Sequence, residues 1–333
     1  MIKKLFGKST FRLILYAALL YVLVILLSQV IPSGDGFVLN SYFMIIINIS
    51  LVYVILATSL NLINGITGQF SIGHMGFAAI GAYVSGTLTT LIWKLTPGSF
   101  SSTSLFIVAL VVGGISAAIV GLLIGMPTLR LKGDYLAIVT LGFGEIIRTI
   151  INNIDYVGGP RGLLGIPQLS NFTIIFIITL LTVMVLRYLV FSSHGRAMIS
   201  IREDATAADL VGVNTTKYKV WAFVIGAFFA GVGGGLLAHM IQLAHPTQYN
   251  FYTSFLVLMI VYIGGMGSMT GSIIAAFALT FLEKYILPMV LPMIGLGVEW
   301  RMVIYAVLLI VIMIYRPEGL MNREAKFMIP EDH

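Results

Sequence analysis

About ten apolar runs, each near the roughly 20 residues that a helix needs to cross about 30 Å of hydrocarbon, dominate this chain of 333 residues. They fall at 13–30, 42–63, 70–92, 104–126, 134–152, 171–190, 220–240, 253–265, 270–288 and 300–316. Apolar residues make up 59 % and charged residues 10 % of the chain, against about 45–50 % and about 25 % in soluble domains. So few charges cannot clothe a water-soluble domain of this size, and so apolar a chain is not disordered. Cysteine is absent, which removes disulfides, thiolate metal sites and thiol catalysis. The expected fold is an all-α polytopic membrane bundle of about ten spans with broken or short helices, residues 1–333 forming one transmembrane domain. The eighth run is short and ends in Gly264-Gly265-Met266-Gly267. It fits a half-helix, a re-entrant segment, or the first part of one broken element with 270–288.

The net charge of +6 reads as membrane orientation, and no nucleic-acid partner is expected. The first run follows Lys3, Lys4, Lys8 and Arg12 and has no small-x-small cleavage site after it, so it reads as an uncleaved span. With the N-terminus inside, these four fall on the cytosolic side with Arg130, Lys132, Arg187, Arg196, Arg202, Lys217, Lys219, Arg316, Arg323 and Lys326. Lys94, Arg161, Lys284 and Arg301 remain outside, and Arg148 sits within a span. This positive-inside bias puts both termini in the cytosol.

Small residues recur four apart at Gly113, Ala117, Gly121 and Gly125, and again at Gly226, Ala230, Gly234 and Ala238. Such stripes let helices approach closely in lipid, and they can equally line a path that slides or opens. Asn64, Gly65, Gly68 and Gln69 interrupt the apolar pattern before Ser71 and His74 begin the next span. A tight, packed turn fits this, as does a broken helix presenting terminal N–H groups to a substrate. Glu145 and Arg148 lie three apart on one helical face, in a stretch that also holds Gly142 and Gly144. Isolated charges at membrane depth are costly, so the pair serves a structural network, gating, or a substrate path. These residues form the candidate path or gating set.

His74, His194, His239, His245 and His333 form no short-spaced ligand set, so no metal is expected. Gly7-Lys8-Ser9-Thr10 resembles the end of a phosphate-binding loop, but Ile2 occupies the upstream glycine position and no strand precedes it. No G-x-S-x-G elbow stands beside a credible strand. No catalytic residue or cofactor is assigned. Between spans six and seven, residues 191–219 read as a cytosolic loop. Helix formers run over Arg202–Val211, with Gly212 and Asn214 as a helix stop. This short amphipathic helix is either a docking element or an interfacial connector.

Three blocks, Ile63–Gly86, Leu129–Leu163 and Gly195–Ala238, resemble the permeases of branched-chain amino acid ABC importers, and Tyr262–Ala276 fits more weakly. The likeness runs from about residue 45 to 320 and is closer to LivM-type subunits than to their LivH-type partners. What the resemblance implies is a permease in a bacterial or archaeal cell membrane (the inner one if Gram-negative) that pairs with a LivH-type permease. Two cytosolic ATPases would power it, and an extracytoplasmic binding protein would deliver leucine, isoleucine or valine. The family's ATPase-docking loop would map onto Arg202, Glu203, Asp204, Thr206, Ala207, Ala208 and Gly212, with Thr206 departing from the glutamate seen in many ABC importers. Urea and short-amide permeases share much of the pattern. From the residues alone, an ion-coupled carrier using Glu145 and a non-transporting scaffold are the competing classes.

Overall fold

A computed structural model describes residues 8–29, 41–97, 100–128, 133–293, 295, 297, 300–316 and 319–321. Lys3, Lys4, Arg130, Lys132, Arg323 and Lys326 lie outside these, as do Gly7 and the side chains of Lys8 and Arg12. The described helices are α1 (Lys8–Gln29), α2 (Ser41–Asn61), α3 (His74–Thr87), α4 (Phe100–Thr128), α5 (Asp134–Asn152), α6 (Phe172–Val190), α7 (Ser193–Glu203), α8 (Ala205–Leu210), α9 (Thr215–Ile241), α10 (Phe251–Gly264), α11 (Met269–Phe281), α12 (Leu287–Met293) and α13 (Trp300–Tyr315). Turns of π-helix at Leu62–Ile66 and Leu88–Ile92 extend α2 and α3, and a third at Leu282–Ile286 joins α11 to α12. One two-stranded antiparallel ribbon pairs β1 (Leu163–Leu164) with β2 (Leu243–Ala244), Leu163 facing Ala244.

Seven helices among the described residues are long and apolar enough to cross a membrane, fewer than the ten expected. They cover Tyr42–Ile66, His74–Ile92, Ser101–Thr128, Tyr135–Asn152, Phe172–Val190, Thr215–Ile241 and Met269–Met293. The other three expected spans correspond to shorter apolar helices, Leu13–Val22, Phe251–Gly264 and Trp300–Ile312. The α10 helix is itself short, with 14 residues, about 21 Å at 1.5 Å per residue. It stops where Gly265 takes a φ of 111° and returns its N–H to Val261 and Tyr262. Leu320 N and Met321 N then donate to the Ile263 and Gly264 carbonyls at 2.7 and 3.1 Å, so the short helix leaves no bare end there.

Lipid supplies no hydrophobic drive between helices, so close backbone packing must hold them. The centre of the fold is a seam of α3, α4 and α9 built on this rule. A Cβ at Gly113 would stand 2.8 Å from Gly81 O, one at Gly231 2.7 Å from the Ala117 methyl, and one at Gly121 2.7 Å from the Ala227 methyl. At Gly234 it would strike the Ala78 carbonyl outright, and Gly226 backs onto Ile63 of the α2 extension. Gly125 is buried on the same helix as Gly113 and Gly121. Polar side chains inside the spans are mostly returned to the backbone four residues earlier, as Thr58 does to Val54 at 2.7 Å and Thr128 to Ile124 at 2.8 Å. Substituting Gly234→Leu forces α3 and α9 apart, so membrane abundance and the Tm in detergent both fall, by overpacking of about 1–3 kcal/mol or more. Gly142→Ala, where a Cβ meets nothing within 4 Å, leaves both unchanged.

Candidate functional site

The end of α2 is where the chain spends its polar side chains. Once Leu62–Ile66 widens into a π turn, Thr67 N and Gln69 N return to the Leu62 and Ile63 carbonyls at 3.3 and 3.1 Å. Asn64 bridges the break: its Nδ2 donates to Ser71 O at 3.1 Å and its Oδ1 accepts from Ser71 N at 3.2 Å. Gln69 Nε2 donates to Thr67 Oγ1 and to Lys219 O, on α9, at 2.8 and 3.2 Å. Gly68 needs its φ of 69°, and a Cβ there would meet Arg202 Cγ at 2.9 Å. His74 is fully buried at the start of α3, its Nε2 at 2.9 Å from Ser59 Oγ.

Two residues tie this break to distant elements. Arg202, near the end of α7, donates from Nη1 to Gly65 O at 2.9 Å, while Nε and Nη2 hold Glu203 Oε1 at 3.0 and 2.6 Å. Asn61 donates to Ser268 O and Ser272 Oγ, both at 2.9 Å, and accepts from Gly267 N at 2.8 Å. The turn between α10 and α11 is therefore pinned to the end of α2.

The expected single helix over Arg202–Val211 is instead two. Asp204 is extended and caps α8, its Oδ1 accepting from Thr206 N and Ala207 N at 2.8 and 3.0 Å. Asn214 is not a stop; it caps α9 by accepting from Lys217 N at 2.9 Å, and Gly212 makes the turn with a φ of 88°. Ala208 faces inward, whereas Thr206 and Ala207 are exposed. Leu210 and Val211 at the tip stand 84 % and 78 % exposed, an apolar knob left uncovered among the described residues.

On α5 the expected pair forms: Arg148 Nε donates to Glu145 Oε2 at 2.7 Å, with side chains 35 % and 33 % exposed. Glu145 Oε1 also accepts from Phe251 N at 3.2 Å, placing a carboxylate at the N-terminus of α10. Gly144 lies close to Gly73, and Ile72 N donates to Thr140 Oγ1 at 3.1 Å, which fastens α5 to the α3 side of the break. The opposite face is bare: Tyr135, Ile138, Ile146 and Ile150 are exposed, and Gly142 opens onto free space.

Sequence reasoning missed a second polar centre. Glu283, given no role by the sequence, is buried in the Leu282–Ile286 turn with Oε1 at 3.0 Å from Lys284 Nζ, so Lys284 is paired inside the helix of the expected span 270–288. Glu283 Oε2, Arg301 Nε and Tyr305 OH are buried without hydrogen-bond partners, and the rings of Tyr305 and Tyr252 lie 6.4 Å apart. Tyr42 OH donates to the Lys284 carbonyl, which the residue four positions on, Pro288, has no N–H to meet. Tyr249, outside the spans, has its phenol pushed well above the usual value by burial, with Tyr83 adding to it. Arg187, counted toward the cytosolic side at the end of the expected span 171–190, is fully buried and donates to Thr10 Oγ1 at 3.1 Å. Among the described residues no group of three or more His, Cys, Asp or Glu is placed to hold a metal ion.

Compared with known proteins, residues 42–313 match the family described as branched-chain amino acid transport system / permease component. The chain belongs to this family. It is 33 % identical over 315 residues to the high-affinity branched-chain amino acid transport system permease protein LivM of Escherichia coli (strain K12), covering 83 % of this chain and 69 % of that one. It is 25 % identical over 292 residues to LivH of the same organism, covering 81 % and 91 %, so a related LivH-type permease exists within the family. A probable LivM of Methanocaldococcus jannaschii is 22 % identical over 280 residues, covering 78 % and 80 %. No solved structure matches.

This family member is thus a multi-pass membrane permease. Its Glu145–Arg148 pair is testable as a unit. Replacing Glu145 by Gln leaves Arg148 without its counter-charge and weakens the α10 start, so abundance falls. The double variant Glu145→Gln, Arg148→Gln removes the mismatch and recovers abundance by a coupling of about 0.5–3 kcal/mol in a double-mutant cycle of thermal stability. Additive losses would mean that the two side chains do not act together.

Proposed function

We propose that the chain is the transmembrane permease subunit of an ATP-driven importer for branched-chain amino acids, and that it builds the translocation path with a LivH-type permease. Two cytosolic ATPases and an extracytoplasmic binding protein complete the assembly. The observation that carries this reading is the LivM likeness over 83 % of the chain, together with the Arg202 link between α7–α8 and the broken end of α2. In this arrangement α1, α10 and α13 join the seven longer helices to give ten spans, with both termini and residues 191–219 in the cytosol.

Each expected site then takes a role. The apolar knob of Leu210 and Val211, carried on Arg202–Gly212, enters the ATPase. The break holding Asn64, Gly65, Gly68, Gln69, Ser71 and His74 moves with it. The bare α5 face around Gly142 lines the path opposite the second permease, and Glu145, one third exposed and held in register by Arg148, stands at the edge of that face. Lipid covers the outer faces of α4 and α6, where Ile115, Ile119, Leu123, Ile177 and Leu181 are exposed.

Cells carrying the complete transporter should take up labelled leucine, and cells lacking only this chain should not. Uptake of urea or acetamide in place of leucine would overturn the substrate assignment while leaving the transporter class intact. For the docking knob, Leu210→Arg with Val211→Arg should cut ATPase copurification and uptake by roughly tenfold or more, as loss of a central apolar anchor does. Permease abundance should not change, because neither side chain packs within this chain. Undiminished copurification would remove the coupling role.

A further inference from the structure

A polar cavity of about 260 Å³ lies where the break, the coupling helices and α9 meet. Its volume equals that of about nine waters at about 30 Å³ each, and it sits just below the about 300–1,000 Å³ of drug-sized sites. It has room for a small metabolite. Most polar groups on its wall are already engaged. The Arg202 guanidinium is shared between Glu203 and Gly65 O, and Asp204 Oδ1 is used as the cap of α8. The second carboxylate oxygens of Glu203 and Asp204 stay open at the rim, on the side where an ammonium would lie, and two further groups are left over. Gln69, 4 % exposed, keeps Oε1 buried with no hydrogen-bond partner. Lys219 offers its backbone carbonyl to Gln69, but among the described residues its ammonium has neither a hydrogen-bond nor an ion-pair partner. Leu136 and Ile201, both buried, supply an apolar wall beside them.

A free cation, a free amide acceptor and an aliphatic wall in one small cavity match a zwitterion with an aliphatic side chain. We propose that this cavity binds a small aliphatic α-amino acid from the cytosolic side, its carboxylate on Lys219 and its ammonium on Gln69 Oε1. The inference rests on the importer reading, which makes this face cytosolic and makes such a solute the transported product. A bound amino acid would bridge α9, the break and the Asp204 corner, holding together parts that must separate for the coupling helices to move. Accumulated product would therefore slow further import.

The complete transporter is reconstituted in liposomes with its ATPase face inward, loaded with ATP and graded unlabelled leucine, and initial uptake of labelled leucine is measured. Internal leucine should slow the wild-type transporter. In Lys219→Met the inhibitory concentration should rise about tenfold, the effect of losing one charge-assisted hydrogen bond. The uptake rate without internal leucine should be unchanged, since the Gln69 contact uses the Lys219 backbone. Lys219→Arg should restore inhibition. Internal leucine that leaves wild-type uptake unaffected, or that inhibits Lys219→Met equally, overturns the site while importer function stands. Failure of leucine uptake in liposomes that hold ATP but no leucine overturns the importer reading and the site with it.

Discussion

Hydrocarbon offers no hydrogen bonds, so a helix that breaks off in a membrane protein must have its amides and carbonyls met by the chain itself. The surroundings of α2 are organised by that need. Asn64 crosses the break to both polar groups of Ser71, and Thr67 and Gln69 close the loop between. Arg202 takes the Gly65 carbonyl. Asn61, one turn earlier, also holds Gly267 and Ser268, so the end of α10 and the start of α11 depend on the same few side chains. A change at the break reaches three separate parts of the chain at once.

The remaining helices divide into a tightly fixed group and a loosely fastened one. Around the Gly81, Gly113 and Gly231 seam, α3, α4 and α9 approach so closely that no side chain larger than hydrogen fits at the crossing. Such an interface transmits motion as a block because it has no slack. By contrast α5 is the least buried of the seven longer helices. Polar contacts fasten it near two points, Ile72 N on Thr140 and Phe251 N on Glu145. The helix with most free surface is thus the one anchored by hydrogen bonds that can be broken singly.

Local chemistry was legible in the sequence and long-range chemistry was not. Apolar runs marked all seven longer helices within a few residues, because the signal is a local sum. The Glu145–Arg148 pair was visible from its spacing of three on one helix. The second partner of Glu145 is 106 positions away and Asn61 reaches Gly267 across 206, separations that no pattern in a single chain encodes. The π turn at Leu282–Ile286 hides in the same way. Glu283-Lys284 falls inside the apolar run 270–288, but nothing in the run marks the widened turn that buries Glu283 and pairs it with Lys284. Asn214 was misread for a different reason: asparagine suits both a helix stop and a helix start, and the hydrogen bond to Lys217 N decides between them.

The chemistry of Arg202 explains how one side chain can join the coupling segment to the break. Its guanidinium is planar with donors in a fixed fork. Nε and Nη2 are spent together on Glu203 Oε1, which orients the plane and leaves Nη1 aimed at Gly65 O. Asp204, two residues further on, fixes the start of α8. The knob at Leu210 and Val211 is consequently connected to Gly65 through a cap, a clamped guanidinium and one hydrogen bond, with no flexible linker between them. A lysine here would present a point charge on a mobile stem, able to meet Glu203 or Gly65 but not to hold a fixed direction between them. On the importer reading, a push at the knob therefore reaches the broken helix through rigid geometry, and the Gly68 loop, packed directly on Arg202, must shift with it.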